Sequence, residues 1–297
     1  MPVTCGESGP GVLIVVLEIE NSRASSAVVG NWASSIHEWM RNTAPGANDP
    51  AQVGGGAGDS GDIIMRAKAL GFLASTLKAL DRSALKRDQV QRLGMFFGSM
   101  FSYDHKAGIT ASASALRQLV SAKSFRPEVG VKIIEDVCKI KEDFRLQTAA
   151  TRLEIYELFL QLIQDQGVVS ELQHKYGTSS SFVGDLLQLC QHERDPKNLM
   201  VWFKVLRILL TDYPLSAEIS EEVFKAFSAY FPISIRSSAN SAGITAEDLK
   251  GAVRDCFSAH QSLAPHSYPF LLEKLDQADS VTVAVKASAL RSQTRER

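Results

Sequence analysis

The sequence predicts an all-α chain whose helices stack as antiparallel pairs, an α-solenoid with a right-handed superhelix. Three observations predict it. Beyond the first twenty-odd residues, apolar side chains recur at i, i+3 and i+4 almost throughout. Alternating β-branched runs bounded by Asn-Gly or Asp-Gly, the mark of hairpins, are missing. The breaks between helices are also regular: taken two at a time, helices start near residues 63, 109, 148, 196 and 246. That interval of roughly 40–50 residues is close to the spacing of HEAT and armadillo helix pairs. Identity between the units is poor, so one irregular helical bundle stands as the competing architecture.

The elements follow in order. In "ASSAVVGNWASSIHEWM", Val28, Val29, Trp32, Ile36, Trp39 and Met40 form one stripe. "TAPGANDPAQVGGGAGDSGD" then interrupts the pattern, and its Pro, Gly and Asn content describes a flexible loop over 43–61. Helices are expected near 63–80, 88–102, 109–121, 127–138, 148–164, 168–190 (broken near Tyr176–Ser181), 196–211, 217–230, 246–258, 265–275 and 280–290. The most informative is "RDPKNLMVWFKVLRILLTDYP". Asp195 is placed to cap it and Pro196 suits its first turn. Leu199, Trp202, Phe203, Leu206, Leu209 and Leu210 make one stripe, while Val201, Val205 and Ile208 fill a second. A helix apolar on two flanks must be covered on two sides, as in a stacked array. Trp202 and Phe203 are therefore core residues. Pro214 ends this helix, the Pro232 of "YFPI" ends the next, and "TAED" (Thr245 to Asp248) opens another with a capping arrangement. The domain organisation is an unassigned segment over 1–23, one helix-pair domain over 24–290 and a disordered tail over 291–297.

Composition narrows the function. The chain has 297 residues, 45% of them hydrophobic and 22% charged, which suits a globular fold. Lys and Arg number 32 against 33 Asp and Glu, so the basic surplus of a nucleic-acid-binding domain is missing. Cys5, Cys138, Cys190 and Cys256 are scattered, with no Cys-x-x-Cys pair, the usage of a reducing compartment. "GVLIVVLEIE" lacks a basic leader and is too short to span a bilayer, so a cytosolic or nuclear protein without membrane attachment is expected.

Several motifs invite chemistry and are better read as structure. Gly56, Gly58 and Gly61 fit G-x-G-x-x-G, with Asp81 twenty residues on. A dinucleotide site needs a strand before the glycines, and "ANDPAQVG" does not read as one. A nucleotide-cofactor enzyme using Gly56–Gly61 is therefore the remote alternative. "GDSG" is similar to the nucleophile segment of chymotrypsin-like proteases, but this helical sequence offers no His in a matching context. Cys190 with His192, and Cys256 with His260 and His266, are two half-sites far apart, short of a zinc site. Glu135 with Asp136, Glu142 with Asp143, and Glu221 with Glu222 read as solvated helix ends or faces. "LKRDQVQR" mixes both signs and reads as a solvent face. No catalytic, cofactor or metal residue is assigned, and no enzyme is expected.

"DPKNLMVWFKVLRILLTDYPL", followed by "EEVFKAFSAYFPISI", "ITAEDLKGAVRDCF" and "YPFLLEKLD", resembles the N-terminal HEAT region of the methyl-methanesulfonate-sensitivity protein family. "IIMRAKALGFLASTL" and "RLEIYELFLQLI" fit the same pattern, so the resemblance runs from about Asp62 to Leu290. It implies a non-enzymatic adaptor of nucleus and cytoplasm. Such an adaptor brings client apoproteins, including DNA helicases and polymerases, to the cytosolic iron–sulfur targeting factors without holding the cluster itself. It thereby serves nucleotide excision repair, replication and transcription. Members of that family are several times longer, and the charged end "KASALRSQTRER" reads as a truncated or mispredicted terminus. A HEAT scaffold of another pathway, such as a transport receptor, is the alternative.

Overall fold

The computed structural model describes residues 60–102, 106–140, 144–177, 180–233 and 243–277. The Trp32–Trp39 stripe, Gly56, Gly58, Glu142, Asp143 and the helix expected over 280–290 lie outside them. The helices are α1 (Ser60–Ala79), α2 (Arg87–Ser99), α3 (Lys106–Val120), α4 (Pro127–Val137), α5 (Ala149–Gln164), α6 (Gln166–Tyr176), α7 (Phe182–Leu189), α8 (Pro196–Asp212), α9 (Ala217–Ser228) and α10 (Ala246–Phe257). A further helix, α11, runs over 264–277. No strand occurs among the described residues.

The helices form two layers. In the first, α1, α3, α5, α8 and α10 each pack on the next. In the second, α2 packs on α4 and α4 on α6, while α7 packs on α9. First-layer helices begin at Ser60, Lys106, Ala149, Pro196 and Ala246, about 45 residues apart, so the chain is a solenoid of helix pairs. Each start lies within a few residues of its expected position.

The apolar pattern explains the first layer. On α8, Trp202, Phe203, Val205, Leu206, Leu209 and Leu210 are all buried, leaving Lys204 and Arg207 as outward cations. On α5, Ile155, Tyr156, Leu158, Phe159, Leu162 and Ile163 are equally buried. Both helices are thus covered on two flanks, and each fully buried Leu, Ile or Phe contributes roughly 1.5–3 kcal/mol. Polar side chains then tie consecutive units together at a sequence separation of one unit. Tyr213 Oη donates to the Ile163 carbonyl (3.3 Å), and Gln161 Nε2 donates to the Arg117 carbonyl (3.2 Å) and to Ser121 Oγ (2.8 Å). Arg117 Nη1 bridges Glu154 (2.7 Å) and Glu157 (2.6 Å).

The ends are fixed locally. Asp195 accepts from the amides of Lys197 (3.0 Å) and Asn198 (3.1 Å), with Pro196 in the first turn of α8. Thr245 and Asp248 form the reciprocal capping box opening α10. Gly177 stands at φ +58°, a conformation that favours glycine, and here the helix expected over 168–190 breaks into α6 and α7. The break lets α6 pack on α4 and frees α7 to pack on α9.

The second layer is drawn together by glycines. A Cβ on Gly130 of α4 would stand 2.6 Å from Val168 of α6, and one on Gly98 of α2 would stand 2.7 Å from an Asp136 oxygen of α4. That close approach corrects the solvated reading of Glu135 and Asp136. Asp136 is buried, with Lys132 (2.8 Å) and Lys139 closing over its Oδ1. Glu135 accepts from Tyr176 Oη (2.8 Å) and Lys175 of α6. The reason is geometric: α2 closes on Asp136 at Gly98 while its own neighbours Lys132 and Lys139 cover it, and α6 brings a cation and a hydroxyl to Glu135. Glu222 does lie at the surface, and Glu221 pairs with Lys225 as the next turn of its own helix (2.6 Å).

Candidate protein-interaction site

After α7 a loop, Cys190–Asp195, joins that helix to α8 across the layers. Its anchor is Glu193, whose side chain is 1% exposed. Oε2 accepts from Arg152 Nε (2.7 Å) and Asn198 Nδ2 (3.2 Å). Oε1 accepts from Arg152 Nη2 (2.9 Å) and from the amides of Arg194 (2.8 Å) and Asp195 (2.9 Å). Arg152 Nη1 donates to the Gln147 carbonyl (2.5 Å), and Asn198 Nδ2 also donates to the Ala149 carbonyl (3.1 Å). The loop is thereby strapped to the start of α5, one unit earlier. Burial works to raise the Glu193 carboxyl, but the Arg152 guanidinium and the two amides outweigh it and hold the group below the ordinary glutamate value.

Beneath the loop lies a line of rings. Phe144 meets Tyr156 edge-on at 5.7 Å, and Tyr156 lies 5.8 Å from Trp202. Burial pushes the Tyr156 hydroxyl and the Cys190 thiol well up, so both stay protonated. The hydroxyl sits beside that thiol without completing a hydrogen bond of normal geometry. These groups are a floor, built to hold shape.

The loop forms a ridge between two grooves. The larger, about 760 Å³, runs between α7 and α9 over Gly184, Leu187, Ala226, Ala229 and Tyr230, with Glu222 and Lys225 at its rim. The narrower, about 430 Å³, is bounded by Phe144, Arg145, Arg152 and Tyr156 on one side and by Gln191, His192, Glu193 and Arg194 on the other. His192 adopts φ +63° on the ridge with its ring exposed. Arg145 and Arg194 are exposed, and Arg145 Nη2 donates to Gln191 Oε1 at 3.4 Å. Neither arginine meets a carboxylate among the described residues. The arrangement offers apolar and ring surfaces beside fixed donors, the chemistry of recognition.

The C-terminal end of the stack is different in kind. Phe224, Phe227, Phe231, Phe257 and Phe270 pack ring to ring, Phe227 and Phe257 at 4.9 Å. Tyr268, Leu272 and Leu275, at i, i+4 and i+7 on α11, are 61–69% exposed.

The structure separates the other candidate residues. Cys190 is buried while His192 faces outward. Cys256 is buried and donates through Sγ to the Phe203 carbonyl (3.4 Å), His260 pairs with Ser262 Oγ (2.9 Å), and the His266 ring lies tilted against Phe224 (5.6 Å). No metal-holding group of three or more His, Cys, Asp or Glu occurs among the described residues. Gly61, with Ser60, belongs to the first turn of α1, where glycine costs little because those N–H groups have no intrahelical partner. Asp81 accepts from the Ser83 amide (2.7 Å) and hydroxyl in a local turn. Sequence reasoning missed the Arg152–Glu193–Asn198 strap. Its signal was the unit length itself, since residues one unit apart become neighbours.

No helix among the described residues is long and apolar enough to cross a membrane. Fold and site together define a solenoid of helix pairs with a ridge and two grooves where its second layer opens. The chain belongs to the family described as Dos2-interacting transcription regulator of RNA-Pol-II, whose N-terminal pattern matches residues 57–292. It is 30% identical over 234 residues to the "DNA repair/transcription protein mms19" of Schizosaccharomyces pombe, covering 77% of this chain and 22% of that protein. It is 26% identical over 259 residues to the "MMS19 nucleotide excision repair protein homolog" of Dictyostelium discoideum, covering 86% of this chain and 22% of that one. With the "MMS19 nucleotide excision repair protein" of Drosophila melanogaster it shares 27% over 259 residues, 87% of this chain and 26% of the relative. The chain therefore spans about a quarter or less of the length of the curated relatives it matches.

Proposed function

We propose that this chain is a non-enzymatic scaffold that presents a helix-pair surface to protein partners in DNA repair and transcription. The observation that carries the reading is the ridge and its two grooves, built on a sealed double layer in a chain whose relatives are named for repair and transcription. The first layer is saturated by its own neighbours, so partners dock on what the second layer and its loops leave open. More finely, the scaffold recruits client iron–sulfur apoproteins, DNA helicases and polymerases among them, to the cytosolic iron–sulfur targeting factors. It works in nucleus and cytoplasm, without membrane attachment or direct nucleic-acid contact. It carries no cluster of its own: Cys138, Cys190 and Cys256 are buried, and burial raises the Cys190 and Cys256 thiols, the latter to about 12, which suits packing and not ligation.

The test is affinity capture of the tagged natural protein from separate nuclear and cytosolic extracts, read by mass spectrometry. Enrichment of iron–sulfur helicases or polymerases together with assembly factors is expected. If other proteins are enriched and these are not, the scaffold belongs to a different pathway.

A further inference from the structure

We infer that the narrower groove beside the α7–α8 ridge is a docking site for an acidic peptide segment of a protein partner, with carboxylates held by Arg145 and Arg194. The inference rests on the scaffold reading above and names the chemistry of its partner.

The donor inventory comes first. The Glu193 carboxylate already accepts five hydrogen bonds, from Arg152, Asn198 and two backbone amides. It is satisfied and neutralised, so it does not compete for further cations. Arg145 spends a single long bond on Gln191, and Arg194 pairs with no acid among the described residues. Two guanidinium forks, each with five N–H donors, thus face one 430 Å³ groove whose own acid is silent. A carboxylate matches such a fork in two-point fashion, which is where arginine outperforms lysine.

The neighbouring groove sets the rest of the segment. There Arg194, which borders both grooves from the ridge, and Lys225 are offset by Glu193 and Glu222, and Lys225 is engaged by Glu221, so no net positive charge is on offer. Its walls are Leu187, Ala226, Ala229 and the Tyr230 ring. An acidic residue on one side of the ridge with an apolar or aromatic residue on the other is the complementary pattern. The ridge itself is rigid, since its carboxylate anchor is strapped to α5. Little ordering is therefore needed when a segment crosses it.

A polyanionic nucleic acid fits less well. Its binding draws on many phosphate contacts, whereas this site offers two arginines that meet no carboxylate among the described residues, in a chain of formal net charge −1.

The experiment is fluorescence polarisation with the full 297-residue chain at low salt. The probe is a fluorescein-labelled peptide Gly-Asp-Glu-Leu-Phe-Asp-Glu-Gly. Its comparators are the same peptide with Asn and Gln in place of Asp and Glu, and a short labelled oligothymidylate. The acidic peptide should bind about ten-fold or more tighter than either comparator, and weaken as salt is added. Arg145→Glu with Arg194→Glu should abolish that preference, as should the milder Arg145→Gln with Arg194→Gln, while Arg92→Glu on the exposed face of α2 should leave it intact. Both arginines are exposed, so unchanged melting curves are expected, and the neutral pair serves if the charge reversal loosens the fold. Equal binding of the amide peptide, tighter binding of the oligothymidylate, or undiminished binding by both double variants overturns the inference. Failure here with iron–sulfur partners still captured would remove the groove and leave the scaffold reading. Peptide binding without such capture would keep the groove and assign the scaffold to a different pathway.

Discussion

The two layers solve the same packing problem by opposite means. In the first, α5 and α8 fill both flanks with large side chains, and Tyr156, Trp202 and Phe203 vanish into the contacts. In the second, α2, α4 and α6 meet through Gly98 and Gly130, where even a methyl group would clash. The first layer gains from apolar area, the second from close backbone approach. The second layer also breaks at Gly177, and the grooves lie just beyond that break. A continuous spine of oil-filled contacts thus frees its companion layer to be interrupted, and the interruption is what makes room for the grooves.

The sharpest way to break this comparison is in the spine. Trp202→Asp would place an uncompensated charge amid apolar neighbours and should cost more than about 5 kcal/mol, ending cooperative unfolding in a thermal scan. A melting curve like that of the unaltered protein would show that the spine is not what holds the stack.

The strap between the layers comes next. Glu193→Ala leaves the Arg152 guanidinium, 17% exposed, without its partner and should cost about 3–5 kcal/mol by urea denaturation. The same strap gives a pH signature. The Glu193 carboxyl is held below its ordinary value of 4.5 in the folded chain. The stabilisation is therefore fully present above pH 4.5 and is lost as pH falls through the lower folded value. Glu193→Ala should show a shallower fall in stability over that acid window.

In the second layer, Gly130→Leu must push Val168 of α6 and Leu162 at the end of α5 aside and should cost about 1–3 kcal/mol, with hydrogen exchange rising in α4, α6 and the last turn of α5 before α8. Uniform loss of protection across both layers would erase the distinction drawn between them. The smallest effect is at a helix end. Thr245→Ala removes the side-chain acceptor for the Asp248 amide (3.1 Å) and should lower stability by about 1 kcal/mol in a denaturant titration.

Much of this was legible along the chain because it is periodic. The stripes on α8, the cap at Asp195, the turn chemistry near Tyr176–Ser181 and the start of each first-layer helix are all local signals, and the structure places each where they point. The site was not legible in the same way. Nothing within a few residues of Glu193 shows that it will be buried, or that Arg152, forty-one positions earlier, will close over it. Glu135 and Asp136 look like any solvated helix face until α2 closes on Asp136 at Gly98 and α6 brings Lys175 and Tyr176 to Glu135.

By itself, then, the sequence determined the helices, their pairing and the need to stack, because helical period, caps and breakers act over a turn or two and apolar flanks demand cover whatever the partner. Only the tertiary structure decided which carboxylates are silenced, which arginines are left facing a groove, and where the second layer opens. Those depend on the distance between side chains one unit apart, and stacking sets that distance to a few ångströms only after the chain has folded.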